Sequence, residues 1–283
     1  MTADVVRIAM EQVSPTPGDL PANRELVGGQ ARQALRDGAD IVVFPELVSS
    51  GYVVAPELVE ACAEPVDGPF VSSLVDVTSG SGGLIAAGLC EREGDAFFNS
   101  VAVVGPNGPV LTYRKLHLFD AEKNVFTPGG DLPLLETEYG VLGVCICYDL
   151  RFVEVLRLLS LRGCDLVLAP AAWVSGFDAA VPRTGLTRQA ESVIVQANLD
   201  QVAVVAVSQV SGGGVGTALG GSLAVDAYGT VIGGPLSRER PDRAAVEIDI
   251  AKGRAALVRS ELIAPRADRR RDVYALRYGG DEL

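Results

Sequence analysis

Two segments of the 283-residue chain echo one another, and they constrain the fold more than anything else in it. "RDGADIVVFPEL", Arg36 to Leu47, resembles "LRGCDLVLAPAA", Leu161 to Ala172: Gly38 matches Gly163, Asp40 matches Asp165 and Pro45 matches Pro170. Each copy reads as a helix end, a glycine stop and a short buried strand closed by proline. Two related halves, each a sheet backed by helices, predict an α/β chain built as a four-layer α-β-β-α sandwich with two mixed sheets and internal pseudo-two-fold symmetry.

The pattern between the copies agrees. Val5 to Met10, Ile41 to Phe44, Leu84 to Glu91, Ser100 to Val104, Val110 to Arg114, Leu142 to Cys147, Leu166 to Ala169, Val202 to Val207, Gly221 to Val225 and Ala244 to Ile248 read as strands. Helical spacing marks Arg24 to Arg36, Val71 to Ser79, Phe152 to Arg162 and Thr187 to Asn198. One domain is expected over 1–264. The charged stretch 265–283 lacks a core pattern and reads as a tail.

Composition removes several functions. With 48% apolar residues the chain can bury a full core, and a net charge of −12 without basic blocks speaks against nucleic-acid binding. No secretory signal is evident at the N-terminus, and the most apolar later stretch, Ser192 to Val210, is interrupted by Gln196, Asn198, Asp200 and Gln201, so no membrane span and a cytoplasmic location are expected. Five cysteines, at 62, 90, 145, 147 and 164, have no disulfide-framework spacing. With one histidine, His117, a zinc centre is not expected, nor is any other metal or cofactor.

Three places carry chemistry. Glu46 directly follows an apolar strand and a proline, at a strand's carboxyl end, where open α/β sheets place their sites; read alone, a solvated turn residue is the plainer reading. Lys115 is one of few lysines, beside Lys123 and Lys252, and sits in "YRKLHLFDAEKNVFTPGG" with His117 and Glu122 close behind. An ammonium suits a developing oxyanion, although a surface lysine at a hairpin end is the plainer reading. In "CICYDLRF" a strand gives way to a helix at Cys147, where turn N–H groups and a helix N-terminus would lower a thiol's pKa. Cys145, one pleat earlier, has neither advantage and reads as packing. A Cys147–His117 pair is the competing constellation.

Taken together, "FPE" with Gly51-Tyr52, "YRKLHLF" and "GVCICYDLRFVE" resemble the nitrilase, or carbon-nitrogen hydrolase, superfamily, and the likeness extends over most of the chain. The resemblance implies the α-β-β-α fold, Cys147 as nucleophile, Glu46 as general base, Lys115 as oxyanion-stabilising cation and Glu122 as support for the lysine and substrate. It implies a thioester intermediate, with the backbone N–H of Tyr148 joining Lys115 at the oxyanion. Tyr148 after the nucleophile looks like the amidase and carbamoylase branch, whereas nitrile hydrolases commonly carry Trp-Glu there. A small linear amide, aliphatic or ω-amide, is therefore the implied substrate. N-carbamoyl compounds and then nitriles are the alternatives, and a non-catalytic binding protein retaining the fold is a different class. Trp173 is a candidate pocket wall or core residue. Arg183 and Arg188 are candidates for a substrate carboxylate, with an Arg188–Glu191 ion pair as the competing role. Members of the family usually pair, so a homodimer or higher homo-oligomer is implied, with 265–283 as a possible exchanged arm.

Overall fold

A computed structural model describes residues 5–175, 186–211 and 218–283. The strands are β1 (Val5–Gln12), β2 (Ile41–Val43), β3 (Leu84–Glu93), β4 (Ala96–Gly105), β5 (Gly108–Arg114), β6 (Leu134–Thr137), β7 (Gly140–Val144), β8 (Leu166–Ala171), β9 (Ala203–Ser208), β10 (Leu223–Val225), β11 (Val231–Gly233) and β12 (Asp242–Asp249), with a two-residue-strand hairpin, Arg277–Tyr278 and Asp281–Glu282, near the C-terminus. The helices are α1 (Leu20–Arg36), α2 (Pro56–Cys62), α3 (Pro69–Ser79), α4 (Val153–Leu161), α5 (Arg188–Asp200) and α6 (Ile250–Ala255).

Two six-stranded mixed sheets form, in the orders β12-β1-β2-β3-β4-β5 and β11-β10-β9-β8-β7-β6. Listing the second from β6 reveals the symmetry. In both sheets an antiparallel edge strand is followed by three parallel strands and then two antiparallel ones. The echoed segments lie at matching places. Asp40 Oδ2 accepts the Arg7 N–H at 2.8 Å, and Asp165 Oδ2 accepts the Val141 N–H at 2.9 Å. Gly38 and Gly163 stop α1 and α4 at φ +89° and +92°, a conformation that favours glycine. The repeat is thus a hydrogen-bonding unit used twice.

Alternation along each strand builds the layers. Val6, Ile8, Met10, Ile41, Val43, Val101 and Val103 point into the core shared with the second sheet. Ala9, Val42, Phe44, Ile85, Leu89 and Ala102 face the other way, onto Val27, Ala31 and Leu35 of α1 and Phe70 and Leu74 of α3. Leu156 and Leu159 of α4 and Val193 and Ala197 of α5 cover the second sheet's outer face. Each fully buried aliphatic of this kind contributes about 1.5–3 kcal/mol relative to exposure. Asp19 caps α1 by accepting the Ala22 N–H at 3.1 Å, and Thr187 caps α5 through the Ala190 N–H at 3.1 Å.

The element boundaries differ from the sequence reading at one decisive place. The strand expected to run to Cys147 ends at Val144, and the helix expected from Phe152 begins at Val153; between them Cys147–Arg151 winds a tight 3-10 turn. The sequence pattern also passes over β6, β11 and α2, which are short and weakly alternating. The C-terminal stretch lies back on its own chain: Arg266 donates to the carbonyls of Asp200 and Gln201, and the Arg162 guanidinium stacks 4.1 Å from the Tyr278 ring centroid. Among the described residues no helix is long and apolar enough to cross a membrane.

Candidate active site

Glu46 is set in place by its backbone. β2 ends, Pro45 O accepts the Gly88 N–H at 3.1 Å, and Leu47 takes a positive φ of 47°. The chain crosses β3 so closely that a Cβ on Gly88 would sit 2.2 Å from Leu47 N and 2.5 Å from Pro45 O, so only glycine fits. From the other half, Ala171 O accepts the Glu46 N–H at 3.3 Å and Gln209 Nε2 donates to Glu46 O at 2.6 Å. Among the described non-glycine residues, positive φ occurs at Leu47, Asp120, Cys147 and Gln201. The first three flank Glu46, lie near Glu122, or are the candidate nucleophile itself, which is where backbone strain tends to be kept.

Lys115 leaves the end of β5 with its N–H donated to Asn99 O at 2.8 Å, and its carbonyl accepts the Gly129 N–H at 2.8 Å. Its Nζ lies 2.6 Å from Glu46 Oε1 and 2.9 Å from Glu122 Oε1, and all three side chains are fully buried. Burial alone would lower the lysine's pKa, but the Glu46 and Glu122 carboxylates outweigh it and hold the ammonium charged, above the ordinary lysine range. The two glutamates are not equivalent. Glu122 Oε1 accepts from Lys115 and from the Tyr52 hydroxyl at 2.7 Å, and its Oε2 accepts the Phe119 N–H at 3.0 Å. Glu46 Oε1 accepts from Lys115 and from Asn99 Nδ2 at 2.7 Å, while Oε2 is buried without a partner among the described residues. Burial raises the Glu46 pKa above the usual carboxylate value, Lys115 opposes this, and Glu122 adds to it. Glu46 therefore has both the vacancy and the affinity to take a proton.

Cys147 opens the 3-10 turn with φ 45° and keeps part of its surface accessible, whereas Cys145 is fully buried. Burial and then the Glu46 charge push the Cys147 thiol well above its ordinary pKa, against the pull of Lys115 and the Ala172 N–H. The lowered thiol expected from a helix N-terminus is thereby corrected: α4 starts only at Val153, beyond the reach of its dipole field, and a nearby carboxylate dominates. The turn is pinned by Asp149, whose buried carboxylate accepts the Ile146 N–H at 2.9 Å, the Tyr113 hydroxyl at 2.6 Å and the His117 N–H at 3.0 Å. His117 Nδ1 is 2.8 Å from the same carboxylate, and its ring stacks on Phe152 with centroids 3.6 Å apart. Asp149 thus joins the lysine segment to the cysteine turn.

Of the residues singled out in the sequence, Glu46, Lys115 and Glu122 form one bonded group, and Cys147 feels the charges of all three. Tyr148 follows Cys147, so its N–H is among the first of the turn, and its ring meets Phe119 and Phe152 edge-on. Trp173 is 1% exposed, within the main core, and its indole N–H has no partner among the described residues. Arg188 is not bonded to this group; it opens α5 on the surface and pairs with Glu191 at 2.9 Å. Arg183 lies outside the described residues. Asn99 and Tyr52 were not singled out as site residues. The available signal for Asn99 was "FFNSVAVV", two adjacent polar residues inside an otherwise apolar strand, and both Asn99 and Ser100 prove fully buried.

Two facing mixed sheets between helical layers, with a cysteine, a lysine and two carboxylates gathered at strand ends, make the architecture of an α-β-β-α hydrolase. The model of the carbon-nitrogen hydrolase family matches residues 7–256. A protein named nitrilase from Pyrococcus abyssi is 35% identical over 202 residues, 70% of this chain and 76% of its own length. An (R)-stereoselective amidase from Pseudomonas sp. is 29% identical over 89% of this chain and 88% of its own. Among solved structures, a variant of the amidase from Nesterenkonia sp. AN1, carrying the product of Michael addition of acrylamide at its active-site cysteine, superposes with a TM-score of 0.74 at 25% identity, covering 95% of this chain and 98% of that one. The chain belongs to the carbon-nitrogen hydrolase family, and it is an enzyme of the amidase type.

Proposed function

We propose that the protein hydrolyses a small linear amide, aliphatic or ω-amide, to the carboxylic acid and ammonia through a thioester on Cys147. The observation that carries the reading is the open Glu46 Oε2, a buried carboxylate oxygen with no partner among the described residues, whose charge bears on the Cys147 thiol. Glu46 takes the thiol proton as sulfur bonds to the amide carbon, and the carbonyl π electrons move onto oxygen. The Lys115 ammonium and the Tyr148 N–H receive that oxyanion. As it collapses, the C–N bond breaks and the protonated Glu46 gives its proton to nitrogen, so ammonia leaves neutral. Glu46 then deprotonates water, which attacks the thioester; the acid departs, the C–S bond breaks and the thiol is restored. Lys115 keeps its charge while Glu46 carries the proton because the Glu122 carboxylate, 2.9 Å from Nζ, still faces it.

The addition of acrylamide at the cysteine of the Nesterenkonia amidase supports the same role for Cys147, and the stereoselective Pseudomonas amidase supports an amide over a nitrile. The relative named nitrilase keeps nitriles as the second reading. Ammonia release from a panel of aliphatic amides, ω-amides, N-carbamoyl amino acids and nitriles tests the assignment. Turnover of at least one linear amide, abolished in Cys147→Ala, is expected. Folded protein that releases ammonia only from nitriles, or from none of the panel, overturns it.

A further inference from the structure

Asn99 is the least explained member of the buried group. It lies in β4 and is fully buried; its Nδ2 donates to Glu46 Oε1 at 2.7 Å and stands 3.4 Å from Glu122 Oε1, while its Oδ1 is buried without a partner among the described residues. The amide orientation follows from chemistry, since turning Oδ1 toward two carboxylates would set acceptor against acceptor. An orphaned buried acceptor is destabilising, so this arrangement sacrifices stability to place a donor at Glu46. The same residue's carbonyl accepts the Lys115 N–H at 2.8 Å, so it sets both the lysine's backbone and the carboxylate's rotation.

We propose that Asn99 is a positioning residue which divides the labour between the two Glu46 oxygens: by holding Oε1 on the Lys115 side, it keeps Oε2 as the single proton acceptor for Cys147. The inference rests on the hydrolase reading above and extends it to a residue outside the Glu46, Lys115, Glu122 and Cys147 set. A carboxylate rotates easily about its last bond, and Lys115, with three N–H donors, donates to either oxygen equally well. Lys115 therefore holds the charge but not the orientation. Asn99, planar and fixed by its strand, supplies the missing direction. Tyr52 does not duplicate it, because its hydroxyl is spent on Glu122.

The groups facing Glu46 are Lys115 from the end of β5, Glu122 from the following turn, Cys147 from the turn after β7, Tyr52 from its own loop, and Asn99 from β4. Asn99 lowers the Glu46 pKa, so its loss has a signature in pH that a packing role lacks. The test uses Asn99→Leu and the near-isosteric Asn99→Asp, each read by the pH profile of kcat/KM on an amide that the wild type hydrolyses. It is read independently by the pH dependence of Cys147 alkylation with iodoacetamide. In Asn99→Leu, kcat falls about 10- to 100-fold, the scale of one lost hydrogen bond to a charged group, with KM little changed. The acid limb moves to higher pH in both assays. Asn99→Asp, close in volume, sets a further carboxylate against Glu46 and moves the limb the same way, with circular dichroism confirming that each variant is folded. An unmoved limb in a folded variant, or a loss carried by KM alone, overturns the proposal. Failure of the hydrolase reading looks different: the wild type then hydrolyses no amide, while the alkylation profiles still report whether Asn99 orients Glu46 toward Cys147.

Discussion

Glu46 and Ala171 occupy equivalent positions in the two copies of the repeat, and they touch: the Glu46 N–H donates to Ala171 O at 3.3 Å. The local axis of the pseudo-symmetry therefore passes through the site. One copy contributes the acid, while the other contributes a carbonyl that fixes the acid's backbone and, at Ala172, an N–H that favours the Cys147 thiolate. The duplicated scaffold places two strand ends against each other, and sequence divergence at one position separates their roles.

The two carboxylates separate in mutagenesis. Glu46→Gln removes the open proton acceptor, and kcat/KM falls roughly 10²- to 10⁴-fold, the usual contribution of a general base. Glu122→Gln keeps acceptors for Lys115 and Tyr52 and leaves Oε2 of Glu46 open, so its loss is smaller by about tenfold or more. Steady-state kinetics on one amide check both. Equal losses would mean that the vacancy at Glu46 has no catalytic meaning.

The pH profile follows from the same group. Glu46 acts as base only when ionised, and its pKa is raised by burial, so activity declines as pH falls through a value above the ordinary carboxylate range. The negative charge of Glu122 contributes to that rise, so the acid limb in Glu122→Gln moves to lower pH. Measuring kcat/KM against pH in both proteins reads the displacement directly.

How far the site was legible depended on sequence separation. Glu46, Lys115 and Cys147 each stand at a strand's end with a local pattern around them, and their order in the chain carried the family resemblance. Asn99 lies inside a strand and not at its end, and Tyr52 entered only as part of a motif, so neither showed in the sequence that it bonds a site carboxylate. The strand was carried to Cys147 because Cys145 to Cys147 continue the apolar run, whereas the chain leaves the sheet after Val144, and Cys147, in the left-handed region, and the Asp149 carboxylate wind a 3-10 turn. His117, the sequence's candidate base, is held through Nδ1 by Asp149, so His117→Gln is expected to retain turnover where Glu46→Gln loses it. The echo correctly anticipated two mixed sheets, since its Asp and Gly residues perform the same bonding in both copies.

Gly88 tests the backbone account. With no room for a Cβ against Leu47 and Pro45, Gly88→Ala forces the Glu46 turn away from β3. A loss of roughly 1–3 kcal/mol in unfolding free energy, together with reduced kcat, is expected from denaturation and kinetics on the same sample. Unchanged stability and turnover would show that the turn relaxes freely.

Glu11 provides a pH switch in stability away from the site. Burial raises its pKa from 4.5 to about 7, against the attraction of Arg243 and with a further push from Asp37. The folded state holds this proton more tightly than the unfolded chain, so its contribution is full below 4.5 and is lost as pH rises through about 7. Glu11→Gln removes that loss, and above pH 8 the variant gains up to roughly 3 kcal/mol over the wild type. Denaturant unfolding across pH 5 to 9 checks it; parallel stability curves would refute the raised pKa.

The central claim is that Cys147, and not its neighbour two residues earlier, bonds to substrate carbon. Its most direct measurement is peptide-resolved mass spectrometry of the protein after incubation with acrylamide, in the wild type, Cys145→Ala and Cys147→Ala. One adduct, on Cys147, is expected in the wild type and in Cys145→Ala, with none in Cys147→Ala. An adduct that persists in Cys147→Ala and disappears in Cys145→Ala would contradict the account.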